Sequence, residues 1–211
     1  MVRVRVRQHV NPLSQKFRQE VTFPDWSLVY DNLAQPLHLD IGSARGKFLL
    51  QMAAQFPQIN FLGTEIREAL VIEANNYCHG LGLKNLHFLF CNINVSLTCL
   101  LESLPPGRLD WVSIQFPDPW FKRHHLKRRV VQPDLVKAIA LSLNSQGQVF
   151  LQSDIEVVAR EMLQRFQENP DFILAHGTPW LPENIFPVPT EREIATYRKN
   201  QAVYRALLTK K

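Results

Sequence analysis

Hydrophobic positions along the chain form short apolar runs that alternate with longer amphipathic stretches. Short apolar runs bounded by turn residues favour buried strands, whereas apolar residues spaced three and four apart favour helices. The pattern predicts strands at 37–41, 60–64, 87–91, 109–116 and 148–152. It predicts helices at 47–56, 67–80, 133–143 and 155–167. Over 201–209 we expect a last strand, with a short helix as the alternative.

This alternation predicts the fold class, an α/β protein with a mostly parallel sheet and helices on both faces. Residues 31–211 are expected to form a single domain, and residues 1–30 a basic N-terminal extension. Within the extension, Val2 to Val6 alternates with arginine. That alternation permits either an edge strand or loose arm, or an arm that contacts phosphates. The proline-rich stretch 179–189 is expected to be a loop.

The distribution of positive charge along the chain indicates a class of binding partner. The chain carries a formal net charge of +5, and as much positive charge lies between residues 122 and 129, a stretch without any acid. The cations of this basic run are Lys122, Arg123, Lys127, Arg128 and Arg129. Such a block suits a polyanionic partner, although a solvated surface loop is the alternative.

Cysteine content and hydropathy exclude several classes of protein. The chain has three cysteines and no CxxC pair, which argues against a disulfide framework or a cysteine-rich zinc site, and we expect no metal. The N-terminus lacks the apolar core of a signal peptide, and no apolar run is long enough to cross a membrane. We therefore expect a cytoplasmic protein without a membrane partner.

Polar residues stand at the ends of four successive predicted strands, where ligands bind in open α/β sheets. Gly42 and Gly46 allow a ligand to approach the first turn closely, and Ala44 between them disfavours a pyrophosphate. Asp40 can attract the ammonium of a methionine moiety, Glu65 can bind ribose hydroxyls, and Asn92 suits an adenine edge. Together these groups suit S-adenosylmethionine. Each acid can alternatively be a helix cap or a solvated strand end.

The segment after the fourth predicted strand, FPDPWFKRHHLKRR, holds Asp118 between two prolines that stiffen the backbone. Aromatic residues and the basic run follow directly. This combination can hold a base by stacking and a nucleic-acid backbone by charge.

With this segment, the sequence resembles the bacterial tRNA (guanine-N7-)-methyltransferase family over nearly its whole length. The resemblance rests on RQHVNPL, LDIGSARGKFLL, FLGTEIR, QFPDPWFKRHHLKRRVVQPDLV, LQSDIE and PxPTERE. It implies a Rossmann-like class I methyltransferase fold, S-adenosylmethionine as cofactor and tRNA as partner. It also implies methyl transfer to N7 of a guanine, in the variable loop of the tRNA.

The resemblance also assigns roles to residues. The family's cofactor positions fall on Asp40, Glu65, Asn92 and Asp118. Asp118 also falls on the proposed catalytic position. The family's substrate positions fall on Lys122, Asp154, Thr190, Glu191, Arg192 and Glu193. Asp154 can alternatively be the N-cap of the helix that follows it.

Three positions depart from the family pattern. Asp40 stands where the family commonly has a longer glutamate, so it should reach less far. Asn92 replaces a common aspartate and loses its charge, and Arg192 replaces an aromatic residue. Two other functions stay open: an amino-group methyltransferase acting on RNA or DNA bases, and a non-enzymatic RNA-binding module. The assembly is expected to be a monomer or a homodimer.

Overall fold

The computed structural model describes residues 10–19, 21–178 and 180–211. The predictions for Val2 to Val6 lie outside the described residues. The strands are β1 (Leu37–Ile41), β2 (Asn60–Glu65), β3 (Leu86–Phe90), β4 (Leu109–Gln115), β5 (Gln148–Ser153), β6 (Phe172–Leu174) and β7 (Tyr204–Lys210). They form one sheet in the order β3-β2-β1-β4-β5-β7-β6. The β3-β2-β1-β4-β5 pairs are parallel, and β7 runs antiparallel to both β5 and β6.

Helices cover both faces of this sheet. They are α1 (Trp26–Val29), α2 (Lys47–Gln55), α3 (Glu68–Gly80), α4 (Ile93–Ser103), α5 (Pro133–Ser142), α6 (Glu156–Gln167) and α7 (Glu191–Tyr197). Apolar residues of α2 and α3 pack in one core cluster, and those of α4, α5 and α6 pack in the other. Within the part of the chain that the structure describes, no helix is both long and apolar enough to span a bilayer.

The predicted fold class is confirmed, and so is the strand at the C-terminal end. The sequence interpretation missed α1, α4, β6 and α7. In α4 the signal was present, since Ile93, Leu97 and Leu100 recur at helical spacing and are buried. At α7 the signal was a Thr-x-x-Glu N-terminus, and the Thr190 side chain indeed accepts a hydrogen bond from the backbone N–H of Glu193.

The segment before β1 contributes to the core. Trp26 and Tyr30 are buried, their rings are stacked, and the Tyr30 hydroxyl donates to the carbonyl oxygen of Phe61. These contacts attach residues 26–30 to the sheet. The predicted division of the chain at residue 30 stays a prediction.

A glycine in β2 sets how closely the first turn approaches the sheet. A Cβ at Gly63 would lie 2.5 Å from Cδ1 of Phe88 and 2.9 Å from Cβ of Ser43. Both distances are below normal van der Waals contact. Gly63 therefore lets the Phe88 ring of β3 and the turn after β1 pack against the same point of the strand.

Gly63→Ala is expected to lower the free energy of unfolding by about 1–3 kcal/mol, because the added methyl group overpacks this site. The Phe88 ring is 1% exposed and enclosed by its neighbours, which limits any relief by movement. Urea unfolding followed by circular dichroism measures the loss. Gly80→Ala is the matched control, since apart from its own helix backbone and chain neighbours no described atom lies within 4 Å of its Cβ position. Equal stability of the two variants would contradict the packing argument.

Candidate active site

A cleft opens at the carboxyl ends of the parallel strands. It lies where the strand order reverses, since β2 and β3 are on one side of β1 and β4 and β5 are on the other. Loops diverge at such a switch point and leave room for a ligand. The predicted site residues that line the cleft are Gly42, Glu65, Asn92, Asp118 and Arg128.

The turn after β1 uses its two glycines for different purposes. Gly42 has φ +88°, and apart from its two chain neighbours no described residue has an atom within 4 Å of the position where its Cβ would be. Gly46 has φ +70°, and a Cβ there would overlap the Phe88 ring. Gly42 thus leaves space in the cleft, whereas Gly46 lets α2 pack closely on the sheet. Ala44 lies between them with φ +51°, a conformation that is uncommon for a residue with a side chain.

Glu65 lies at the end of β2 with both carboxylate oxygens engaged. Oε1 accepts from the backbone N–H of Arg67 at 3.0 Å and from its Nε at 2.8 Å. Oε2 accepts from Arg67 Nη2 at 2.8 Å and from the backbone N–H of Ala44 at 3.0 Å. The side-chain hydrogen bonds to Glu65 raise the pKa of the Arg67 guanidinium against the opposing effect of burial, and the charges of Glu65 and Asp118 act in the same direction as the hydrogen bonds.

Asn92 connects the cleft to the N-terminal segment. Its Nδ2 donates to the carbonyl oxygen of Pro12 at 2.9 Å and to that of Phe17 at 3.2 Å. Val10 and Pro12 of this segment line the cleft. Both amide hydrogens are used in this way, so Oδ1 is the atom left for an adenine amino group. An aspartate at this position could not donate either bond.

Asp40 lies beneath the cleft and is 4% exposed, as expected from its short side chain. Its Oδ1 accepts from Ser113 Oγ at 2.6 Å and from Gln115 Nε2 at 3.3 Å. Burial raises the pKa of Asp40 to about 6, although these hydrogen bonds act in the opposite direction. Gln115 lines the cleft directly above this carboxylate. Its predicted contact with a methionine ammonium stays a prediction.

A ladder of buried polar side chains continues from Asp40 across the sheet. Gln115 accepts from Gln152 Nε2 at 2.7 Å, and Gln152 Oε1 accepts from Arg205 Nε at 3.1 Å. Arg205 Nη2 in turn donates to Glu193 Oε1 at 2.6 Å. The Glu193 and Arg205 side chains are each 2% exposed, so this is a fully buried ion pair. The ladder links the first-strand acid to α7.

The backbone that carries Asp118 is held in an unusual conformation. Phe116 has φ +49° and Trp120 has φ +41°, and prolines 117 and 119 flank the aspartate. Left-handed backbone at non-glycine residues is energetically unfavourable and clusters at functional sites. The backbone on both sides of Asp118 is thus constrained where it lines the cleft.

The basic run forms a 3-10 turn, Arg123–Arg128, and its cations divide into two groups. Lys122, Arg123 and Lys127 are exposed. The Arg128 guanidinium lies over the Trp120 ring, 4.9 Å from its centroid. Arg129 is buried, forms an ion pair with Glu161, and donates from Nε to the carbonyl oxygen of Pro119 at 2.8 Å.

The remaining residues of the predicted substrate set do not line the cleft. Asp154 Oδ2 accepts from Nε and Nη2 of Arg192 at 2.9 and 2.5 Å. The N-cap of α6 is Ile155, so the interpretation of Asp154 as that cap is wrong. Thr190 caps α7, and exposed Glu191 forms an ion pair with Lys47. Glu193, already described, is buried in the ladder.

Sequence reasoning missed Arg67, Gln115 and Arg205. Arg67 had a signal, since it lies two residues after Glu65 and a guanidinium at that distance can fold back onto a carboxylate. Gln115 and Arg205 lie on predicted strands, and nothing local distinguishes them from ordinary polar strand residues.

The cleft fits S-adenosylmethionine on three observations. Gly42 leaves open space at the first turn, Asn92 keeps one acceptor for an adenine edge, and Ala44 fills the position where a pyrophosphate needs glycine. Glu65 can bind the ribose hydroxyls only if the Arg67 side chain breaks its hydrogen bonds with this carboxylate. Among the described residues, no group of three or more potential ligands is arranged to hold a metal ion.

Known proteins resemble this chain in sequence and in fold. A family model described as "Putative methyltransferase" matches residues 34–206. The chain is 64% identical over 207 residues to the tRNA (guanine-N(7)-)-methyltransferase of Microcystis aeruginosa, covering 98% of both chains. It is 60% identical over 208 residues to the protein of the same name in Synechocystis sp., covering 99% of this chain and 98% of that protein.

Two solved structures share the fold at low sequence identity. The 16S rRNA methyltransferase KamB superposes with a TM-score of 0.58 at 16% identity, over 88% of this chain and 90% of KamB. A SAM-dependent O-methyltransferase from Thermotoga maritima gives a TM-score of 0.52 at 18% identity, over 92% of this chain and 67% of that protein. The fold is therefore the Rossmann-like class I methyltransferase fold.

Asn92→Asp is expected to loosen the segment 10–18, because it removes two donors and places a charge opposite two carbonyl oxygens. The amides of Ser14, Phe17 and Arg18 should exchange with deuterium at least fivefold faster, the factor for about 1 kcal/mol. Hydrogen-exchange mass spectrometry measures this, with β5 as the internal reference. Asn94→Asp, which adds the same charge two residues away, is the control. Unchanged exchange in Asn92→Asp would show that these bonds do not hold the segment.

Proposed function

This chain belongs to the tRNA (guanine-N(7)-)-methyltransferase family, and we propose that it transfers the methyl group of S-adenosylmethionine to N7 of a guanine in tRNA. The observation that carries the proposal is 64% identity to a protein of that name over 98% of the chain. The cleft supports it, because Glu65, Asn92 and Asp118 meet at one edge of the sheet. By family resemblance, we place the target guanine in the variable loop.

The chemistry makes modest demands on the protein. S-adenosylmethionine supplies a methyl group on a positively charged sulfur. Guanine N7 carries an in-plane lone pair and no proton, so the nucleophile needs no general base. The task of the side chains is therefore to hold the two reactants in near-attack geometry, which by itself can supply a large part of the rate enhancement.

Asp118 is the residue that we assign to orienting the guanine. As an ionised carboxylate it has acceptors only, and these match the amino and imino hydrogens of the guanine edge. Its negative charge favours the positive charge that the purine gains during transfer. The constrained backbone from Phe116 to Trp120 supports this role, because a fixed carboxylate needs little reorganisation during the reaction.

The exposed part of the basic run is our candidate for phosphate contacts. Lys122, Arg123 and Lys127 present their charges to solvent beside the cleft-lining loop. Arg128 and Arg129 make contacts within the protein: the Arg128 guanidinium lies over the Trp120 ring, and Arg129 donates to the carbonyl oxygen of Pro119. We assign to these two the support of the Asp118 loop, and a direct tRNA contact by either stays a prediction.

Asp154 and residues 190–193 are proposed to act on the substrate by resemblance alone. We also propose a cytoplasmic enzyme, which agrees with cysteines that are free: Cys78 and Cys91 are buried and Cys99 is exposed. Its assembly as a monomer or homodimer stays a prediction.

Purified protein, methyl-labelled S-adenosylmethionine and unmodified tRNA test the function. Nucleoside analysis should find 7-methylguanosine, and Asp118→Asn should slow single turnover by about 100-fold while the fold is kept. Replacing the target guanine with inosine, which lacks the amino group, should slow the parent enzyme and add little further loss in Asp118→Asn. Additive losses would separate Asp118 from that amino group. Label on an exocyclic amino group would indicate an amino-group methyltransferase, and absence of cofactor binding an RNA-binding module.

The Arg123→Ala, Lys127→Ala double variant should weaken tRNA binding and flatten its salt dependence. The slope of log affinity against log salt is expected to fall by about 1 for each lost phosphate contact. Filter binding between low and physiological salt measures the slope. Lys137→Ala, which removes an exposed charge from α5, is the control and should leave the slope unchanged. A parental slope in the double variant would identify the basic run as a solvated turn.

A further inference from the structure

We propose that Arg67 is an internal competitor for the ribose of the cofactor, and that cofactor binding moves its guanidinium from Glu65 toward Asp118. The inference rests on the proposed function, because it concerns the site at which S-adenosylmethionine binds. It assigns to Arg67 the role of a positioning residue that sets cofactor affinity and couples the cofactor half of the cleft to the guanine half.

The first step is the saturation of Glu65. A carboxylate offers about four lone-pair sites, two on each oxygen. Here two hydrogen bonds fall on Oε1 and two on Oε2, all between 2.8 and 3.0 Å. The ribose hydroxyls would need at least one of these sites. Glu65 can therefore bind ribose only after it loses a present donor.

The second step identifies the donor that leaves. The N–H groups of Ala44 and Arg67 belong to the backbone of the first turn and of the α3 N-terminus, and their positions are fixed by those elements. The two guanidinium donors belong to a flexible side chain, and rotation of that side chain frees one site on each oxygen. Two ribose hydroxyls match two freed sites.

The third step concerns where the guanidinium goes. The Glu65 and Arg67 side chains are 3% and 21% exposed, so a guanidinium that leaves Glu65 stays partly shielded from water. Asp118 lines the same cleft, and its charge already stabilises the protonated form of Arg67. A cation that turns from one carboxylate toward the other keeps a compensating charge throughout. Because a carboxylate offers about four acceptor sites, Asp118 can accept from the guanidinium and still leave acceptors for the amino and imino hydrogens of the guanine.

The energetic consequence is a measurable affinity cost. When only a fraction of molecules has the ribose site free, the apparent dissociation constant rises by the inverse of that fraction. A free state populated about one-tenth of the time would weaken binding about tenfold. Removing the guanidinium removes this cost.

Calorimetric titration with S-adenosylhomocysteine tests the proposal without any turnover. Arg67→Gln should bind this ligand about tenfold more tightly than the parent, and Arg67→Lys should fall between them because an ammonium lacks the two-pronged geometry. Arg165→Gln is the matched control: it breaks an exposed arginine–glutamate pair at the C-terminal end of α6 and should leave affinity unchanged.

Two double-mutant cycles locate the competitor and its destination. In a Glu65→Ala background, Arg67→Gln should give no tightening, because the guanidinium no longer occupies a ribose acceptor. Asp118→Asn should weaken ligand binding several-fold more in the parent than in Arg67→Gln, because it removes the charge toward which the guanidinium turns. Each cycle reads binding only, and circular dichroism verifies that every variant folds.

Weaker ligand binding by Arg67→Gln would overturn the proposal and identify Arg67 as a ligand contact. Parental affinity in Arg67→Gln would place the guanidinium outside the ribose site and overturn it as well. In either case, a parent enzyme that binds S-adenosylhomocysteine and forms 7-methylguanosine leaves the proposed function standing. A parent that binds no ligand overturns both.

Discussion

Parallel pairing of β1 with β2 and β4 is the constraint on which the rest of the molecule depends. In this register Ile41 lies beside Thr64 on one side and Ile114 on the other, so the three strands end at the same level. The residues just beyond those positions are thereby brought to one edge, although they are far apart in sequence. Crossover helices are needed to return the chain for parallel pairing, and they cover the two faces of the sheet. The cleft is the gap that remains where the crossovers diverge.

A polar ladder stiffens this edge from below. The register places Gln115 beside Gln152 and Gln152 beside Arg205, and the side chains bond across the strands in the same order. Buried polar groups are costly unless they are satisfied, and removing one partner of a buried ion pair typically costs about 3–5 kcal/mol. Glu193 meets that demand for Arg205 by accepting a hydrogen bond from its guanidinium. The buried Arg205–Glu193 pair thereby connects α7 to the polar residues at this edge of the sheet.

The polar side chains that line the cleft already form hydrogen bonds within the protein. Arg67 and the Ala44 amide occupy the carboxylate of Glu65, and the carbonyl oxygens of Pro12 and Phe17 occupy the Asn92 amide. These bonds supply hydrogen-bond partners to polar groups that are shielded from water. They also mean that ligand affinity is a difference between new contacts and the contacts that they replace. At Asn92 no hydrogen bond has to be replaced, because Oδ1 remains as an acceptor for the adenine amino group. At Glu65 a ribose hydroxyl has to replace one of the present donors.

The sequence by itself determined the fold class, the edge that carries the site, and the presence of Glu65, Asn92 and Asp118 in one cleft. Strand periodicity and the polar residue after each strand are local features, and the parallel fold converts them into a shared location. Only the tertiary structure decided what these side chains bind. Asn92 meets a carbonyl oxygen 80 residues away, and Glu193, assigned to the substrate by resemblance, is buried against Arg205. Hydrogen-bond partners depend on how distant elements pack, and no local pattern of residues encodes that packing.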